Sequence, residues 1–213
     1  MRSRTLARAT FAATALLVLV GVVVAVSLAI DGNSDEQFSD LAWSRALNVF
    51  AFFTVQSNLV VGVTCLLLAL DPRRDSTTFR LFRLAGVIDI LITGVVYQVA
   101  LADLHELDGK AAVADQILHA IVPVVAVAGW LWFGPRGLAT RADALRAVLV
   151  PLAWLVFTML RGPVVDWYPY PFMDVTDLGY GRVLLNLLVV AVLFVALALG
   201  AVAVDRRLPR SEP

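Results

Sequence analysis

Five stretches of the chain run for about twenty residues with almost no charge, at 9–30, 46–70, 84–104, 116–133 and 183–204. A helix rises 1.5 Å per residue, so a hydrocarbon core of ~30 Å takes about 20 apolar residues to cross, and each stretch reads as a transmembrane helix. A sixth, at 145–161, is shorter. Val148 to Thr158 carries no charge, and Arg146 at its start can snorkel its guanidinium to the interface and lengthen the span. Arg2, Arg4 and Arg8 precede the first stretch, so a secretory signal peptide cleaved after Ser27-Leu28-Ala29 is a competing assignment. An apolar run of about 20 residues exceeds the ~7 to 15 of a signal core, which favours an uncleaved helix. The fold class expected is all-α, a polytopic membrane protein forming one six-helix bundle over residues 1–213.

Composition agrees, with 60% hydrophobic and only 16% charged residues among 213 and a mean hydropathy of +0.84. The formal net charge of zero gives no global attraction for nucleic acid, so the electrostatics lie in where the charges sit. Thirteen basic residues fall before the first span, between the second and third, between the fourth and fifth, and after the sixth: Arg2, Arg4, Arg8, Arg73, Arg74, Arg80, Arg83, Arg136, Arg141, Arg146, Arg206, Arg207 and Arg210. The other side holds Arg45, Lys110, Arg161 and Arg182 with most of the acids, including Asp31, Asp35, Glu36, Asp103, Glu106, Asp108, Asp115, Asp166 and Asp174. Cytoplasmic loops retain Lys and Arg, so both termini are expected inside a plasma membrane. Counting five spans would put Arg206, Arg207 and Arg210 on the acidic side, so the partition also supports six.

Polar groups at membrane depth are costly unless paired, turned inward or wet, which makes them the place to look for function. Thr54 and Asn58 share one face of the second helix; Gly86, Asp89, Thr93 and Tyr97 form a stripe on the third, with Gln98 beside it. Gln116, His119 and Pro123 align on the fourth, and Asn186 marks the outer end of the sixth. Cys65 lies in an apolar run and has no second cysteine to pair with, so it reads as packing. Asp89 reads either as a group that reaches the interface or pairs with Arg83 or Arg80, or as a proton relay. His105, among loop acids, reads as solvated.

The second and fourth helices both run inward from the external side, which puts Thr54 and His119 in the same leaflet. With helix starts at Ala46 and Gln116 they lie about 12 and 4.5 Å deep; a start at Val49 brings Thr54 to about 7.5 Å. A threonine hydroxyl becomes a nucleophile when an adjacent base takes its proton, and histidine suits that role near neutral pH. Thr54 and His119 therefore read as a nucleophile and base for acyl transfer, against the alternative that both only hydrogen-bond between helices. Asn58, Tyr97, Gln98 and Asn186 are candidate donors to an oxyanion or to substrate. The external segment Trp167-Tyr168-Pro169-Tyr170-Pro171-Phe172 reads as an interfacial aromatic anchor or as a lid, with Trp167, Tyr170 and Phe172 its candidate residues.

The run Phe52-Phe53-Thr54-Val55-Gln56-Ser57-Asn58, the run Leu118-His119-Ala120-Ile121-Val122-Pro123, the segment Tyr168-Pro169-Tyr170-Pro171-Phe172-Met173-Asp174 and the later Asn186 resemble the androgen-induced gene 1 family and its bacterial relatives. The Gln56-Ser57-Asn58 form is closer to the bacterial branch. The resemblance implies a six-helix threonine hydrolase of fatty-acyl esters, with Thr54 as nucleophile and His119 as its partner.

The leading expectation is thus a membrane-embedded hydrolase whose partners are the lipid bilayer and an amphiphilic ester. The alternative is a non-catalytic protein that binds a lipid or carries a proton-linked solute along the seam of Asp89, Thr93 and Tyr97. Two histidines and no Cys-x-x-Cys or His-Glu-x-x-His pattern supply no obvious metal set, and neither a metal nor another cofactor is expected.

Overall fold

The computed structural model describes residues 2–32, 39–103, 106–135 and 139–208. His105, Asp35, Glu36, Arg136 and Arg210 lie outside the described residues. Within them every regular element is helical: α1 (Arg2–Asp31), α2 (Ala42–Asn48), α3 (Phe53–Leu70), α4 (Thr77–Val96), α5 (Gly109–Gln116), α6 (Val122–Phe133), α7 (Arg141–Ala147), α8 (Leu149–Val165) and α9 (Val175–Arg207). A 3-10 turn at Val49–Ala51 joins α2 towards α3, and π turns at Tyr97–Leu101 and Ile117–Ile121 extend α4 and join α5 to α6.

Taken with these turns, six helical segments are long and apolar enough to cross a membrane: Arg4–Asp31, Phe53–Leu70, Thr77–Leu101, Gly109–Phe133, Arg141–Val165 and Val175–Arg207. Large apolar side chains such as Leu19, Leu66, Leu188 and Val192 face outward, the arrangement expected where hydrocarbon replaces water around the bundle. The protein is an integral multi-pass membrane protein.

The core has two main parts. One packs α1 against α3 and the α5–α6 rod around Phe11, Val18, Val61, Leu118 and Val122. The other packs α4 against α7 and α9 around Ile88, Ile92, Ala144, Phe194 and Ala198. Gly62 faces Val18 and Gly86 faces Val60, and a Cβ on either glycine would come within 3.0 Å of those side chains, so small residues set the close approach of α3 to its neighbours.

At one end of the bundle Arg8 donates from Nε to the Ala69 carbonyl at 2.8 Å, joining the start of α1 to the end of α3. At the other end Arg45 closes α1: its Nε donates to Ala29 O at 2.7 Å and its Nη2 to Ile30 O at 2.8 Å. Those are carbonyls that a helix C-terminus leaves without intrahelical donors, and a cation there also meets the negative end of the helix dipole.

The second span begins later than the apolar pattern alone suggests. The chain is extended at Phe52 (φ −71°, ψ 133°), which separates Ala42–Asn48 from the spanning helix. Side chains of α8 bridge to this segment: Trp154 Nε1 donates to the Ala51 carbonyl at 2.8 Å, and Arg161 Nη2 donates to the Asn48 side-chain Oδ1 at 2.8 Å. Thr54 consequently stands in the first turn of α3 rather than in the middle of a longer helix.

Candidate active site

Two local irregularities bring the site together. The first is the break at Phe52, which leaves the N–H of Thr54 outside the helix's own ladder; it donates instead to the Tyr170 hydroxyl at 3.1 Å. The second is the π turn at Ile117–Ile121. There the Val122 N–H reaches back to Ile117 O, so Leu118 O loses its usual partner. Asn58 supplies one, its amide donating to Leu118 O at 3.1 Å and to Thr54 O at 2.8 Å. π turns recur at functional sites because they re-aim side chains within an otherwise regular helix. Pro123 follows directly and has no N–H to offer the His119 carbonyl.

Thr54, only 7% exposed, has its Oγ1 3.1 Å from Nε2 of His119 and 3.2 Å from the hydroxyl of Tyr170. The far side of the imidazole is held as well: Nδ1 lies 2.8 Å from Asp115 Oδ1 and 3.2 Å from the Asp115 carbonyl. Tyr97 donates its hydroxyl to Asp115 Oδ2 at 2.5 Å, and its ring stacks on His119 with centroids 4.0 Å apart and planes 13° from parallel. Both acceptors offered to Nδ1 are oxygens without a proton to give, so Nδ1 carries the ring proton and Nε2 accepts from Thr54. Ser57 donates to Thr54 O at 2.9 Å and takes a hydrogen bond from Thr93 Oγ1 at 2.8 Å, pinning α3 to α4 beside the site.

An apolar cavity of about 160 Å³ opens from Thr54 between α4, α8 and α9. Tyr170 and Phe172 stand with Thr54 at one end; Ile92, Pro151, Phe194 and Val195 line the remainder. Leu152 and Val195 belong to this lining and are 46% and 39% exposed, so the cavity opens on the lipid-facing surface of the bundle. Its α9 wall runs from Leu187 to Val195, about 12 Å of helix at 1.5 Å per residue.

The residues singled out from the sequence divide clearly. Thr54, His119, Tyr97 and Tyr170 come together. Asn58 touches the backbone of the site and not its reacting atoms. Asn186 donates to Phe172 O at 2.8 Å and so holds the aromatic segment, while Gln98 is exposed. Phe172 stacks on Tyr170, and Trp167 meets Phe52 edge-on at 5.4 Å with the Arg161 guanidinium 5.4 Å from its ring. Asp89 neither reaches an interface nor pairs with Arg83 or Arg80: it is 1% exposed and its two carboxyl oxygens have no hydrogen-bond partner. Among the described residues no cluster of His, Cys, Asp or Glu is arranged to hold a metal ion.

Charge alone places Asp115 among the external acids, yet it is the residue that orients His119. Its signal was its place four residues before His119 on one helical rod, the spacing that stacks two side chains on one face. Comparison with known proteins adds no identification: no family model, no curated protein and no solved structure matches the chain.

Proposed function

We propose that the protein is a hydrolase embedded in the plasma membrane that cleaves a fatty-acyl, lipid-like ester, with both termini in the cytoplasm and the site in the outer leaflet. The observation that carries this reading is the relay from Thr54 Oγ1 to His119 Nε2 at 3.1 Å and from His119 Nδ1 to Asp115 at 2.8 Å, with Thr54 lining an apolar cavity. A hydroxyl, a base within hydrogen-bond reach and a third group orienting that base is the arrangement that makes a weak alcohol nucleophilic. The short-motif resemblance to the androgen-induced gene 1 family points to the same pair.

In this mechanism the acyl chain lies in the cavity and its carbonyl carbon sits beside Thr54. Oγ1 forms a bond to that carbon as its proton passes to His119 Nε2. Asp115 stabilises the imidazolium without taking the proton. Collapse of the tetrahedral intermediate breaks the bond to the leaving alcohol, which receives the proton from His119, and leaves an acyl-threonine. Water then gives a proton to His119 and attacks the same carbon; the fatty acid departs as Thr54 regains its proton. The opening beside Leu152 and Val195 gives a lipid a lateral route to the site.

The test is hydrolysis of a medium-chain p-nitrophenyl ester by the purified protein in detergent or nanodiscs. Wild type should turn over, and Thr54→Ala and His119→Ala should each lose at least 10³-fold, with unchanged melting profiles showing that they fold. Equal turnover by Thr54→Ala would end this reading.

A second reading rests on Asp89. A carboxyl group buried without a partner inside a membrane protein is expensive and marks ion or proton pathways. It supports proton-linked binding or transport of a small solute. Solute uptake that is driven by a proton gradient and abolished by Asp89→Asn, but kept by Thr54→Ala, would favour it.

A further inference from the structure

We infer that Tyr170 is a catalytic residue, the hydrogen-bond donor that stabilises the oxyanion formed on Thr54; this rests on the proposed ester hydrolysis and extends it. The inference comes from the order of donors and acceptors around Thr54. Thr54 N–H donates to the Tyr170 oxygen at 3.1 Å, so that hydroxyl is already an acceptor. Thr54 Oγ1 gives its proton to His119 Nε2, so at the 3.2 Å contact between Thr54 Oγ1 and Tyr170 the donor is the tyrosine. One consistent chain results, from Thr54 N–H to Tyr170 O–H to Thr54 Oγ1–H to His119. A phenol that accepts an N–H bond is itself polarised into a better donor, and here that N–H belongs to the first turn of α3, where the helix dipole is positive.

Attack breaks this chain at one link. When Oγ1 becomes the oxygen of a tetrahedral intermediate it has lost its proton and most of its strength as an acceptor. Negative charge appears instead on the carbonyl oxygen, which is held on the same carbon and lies about 2.3 Å from Oγ1, as tetrahedral geometry requires for two oxygens on one carbon. Tyr170 stands 3.2 Å from Oγ1 and lines the cavity from which the carbonyl arrives. A turn of its C–O bond moves the proton from Oγ1 to the new anion, with no heavy atom displaced and no proton transferred. A donor that shifts to the transition-state charge in this way stabilises the transition state more than the resting site, which is the requirement for catalysis.

The other polar side chains near the site are committed elsewhere. Asn58 donates to two carbonyls, Tyr97 to Asp115 and Asn186 to Phe172 O. The ring of Tyr170 is fixed for its task, being parallel to Phe172 within 1° at 5.4 Å and meeting Phe52 edge-on at 5.9 Å. Those ring contacts survive replacement by phenylalanine, so the hydroxyl can be tested alone.

The experiment measures single-turnover acylation and steady-state hydrolysis of p-nitrophenyl octanoate by wild type, Tyr170→Phe, and protein carrying 3,5-difluorotyrosine at position 170. Loss of an oxyanion donor costs on the order of 10²–10³-fold in kcat. Tyr170→Phe should therefore lose about that in acylation rate and kcat while KM changes less than threefold, and difluorotyrosine should restore at least half of the wild-type rate. A Phe variant within threefold of wild type overturns the role. So does an equal loss in the Phe and difluorotyrosine proteins, which would mark a structural part. Should the Phe variant fail to fold, the series of tyrosine and its mono- and difluoro forms decides alone: a rate that changes systematically with phenol acidity supports the role, and an unchanged rate overturns it. If wild type forms no acyl adduct on Thr54, it is the nucleophile reading that fails instead.

Discussion

Asn58 reaches from α3 to the π turn sixty residues later and donates its amide to the carbonyl of Leu118 at 3.1 Å, while the same nitrogen holds the carbonyl of Thr54 at 2.8 Å. One buried side chain thereby ties the backbone under the nucleophile to the backbone beside the base. Replacing it with leucine leaves Leu118 O buried without a donor, a cost of about 1–3 kcal/mol. Asn58→Leu should lower the melting temperature and reduce ester turnover by at least 10-fold. Asn58→Ser, which keeps a short donor, should recover part of the stability; differential scanning fluorimetry in detergent reads the effect directly.

Asp115 and its place beneath His119 make a different kind of prediction. Asp115→Asn keeps the size of the side chain but no longer offers two carboxylate oxygens to Nδ1 and Tyr97, which favours the wrong imidazole tautomer. In triads of this form such a change costs up to ~10⁴ in kcat. Asp115→Asn should lower kcat by about 10²–10⁴-fold with KM changed little, measured on the same ester. Wild-type turnover in this variant would remove Asp115 from the mechanism.

The aromatic segment is seated by a notch in α8. A Cβ on Gly162 would come 2.1 Å from the Tyr168 ring, so only glycine lets that ring settle there. Overpacking of this kind costs about 1–3 kcal/mol. Gly162→Ala should displace Tyr168 and with it Tyr170, lowering both melting temperature and turnover. Gly181→Ala, where nothing lies within 4 Å of the added atom, serves as the matched control and should lower neither.

If an acyl chain fills the cavity, narrowing it should select shorter chains. Ala191 lines the cavity on α9, and Ala191→Phe fills part of its roughly 160 Å³. Hydrolysis of p-nitrophenyl decanoate should fall at least 10-fold relative to wild type, while the butanoate is affected less than threefold. A uniform loss across chain lengths would place the chain elsewhere.

The six spans were legible because twenty apolar residues in succession leave a helix few other physical solutions in lipid. The pairing of Thr54 with His119 was legible as chemistry. What made it possible was not. The 46–70 stretch reads as one continuous span, and no proline, glycine or charge near Phe52 marks the break there, which is bridged by Trp154 and Arg161 from more than a hundred residues away. Gln98 was placed beside the polar seam by a regular helical repeat; the π turn at Tyr97–Leu101 re-aims the side chains there, and Gln98 is exposed. Hydropathy leaves Asp115 in a loop because the apolar stretch starts after it, although α5 carries the helix back to Gly109. Tyr170 stands out in the sequence as an interfacial anchor or lid residue and not as a partner of Thr54, since a contact 116 residues away in sequence leaves no local pattern.

The most direct test of the central claim is the site of covalent modification. Membranes carrying the protein are treated with a fluorophosphonate, and the labelled peptide is sequenced by mass spectrometry. The adduct is expected on Thr54, absent in Thr54→Ala and reduced at least 100-fold in His119→Ala. A folded wild-type protein that takes no label, or one labelled on another residue with Thr54 unmodified, would contradict the account.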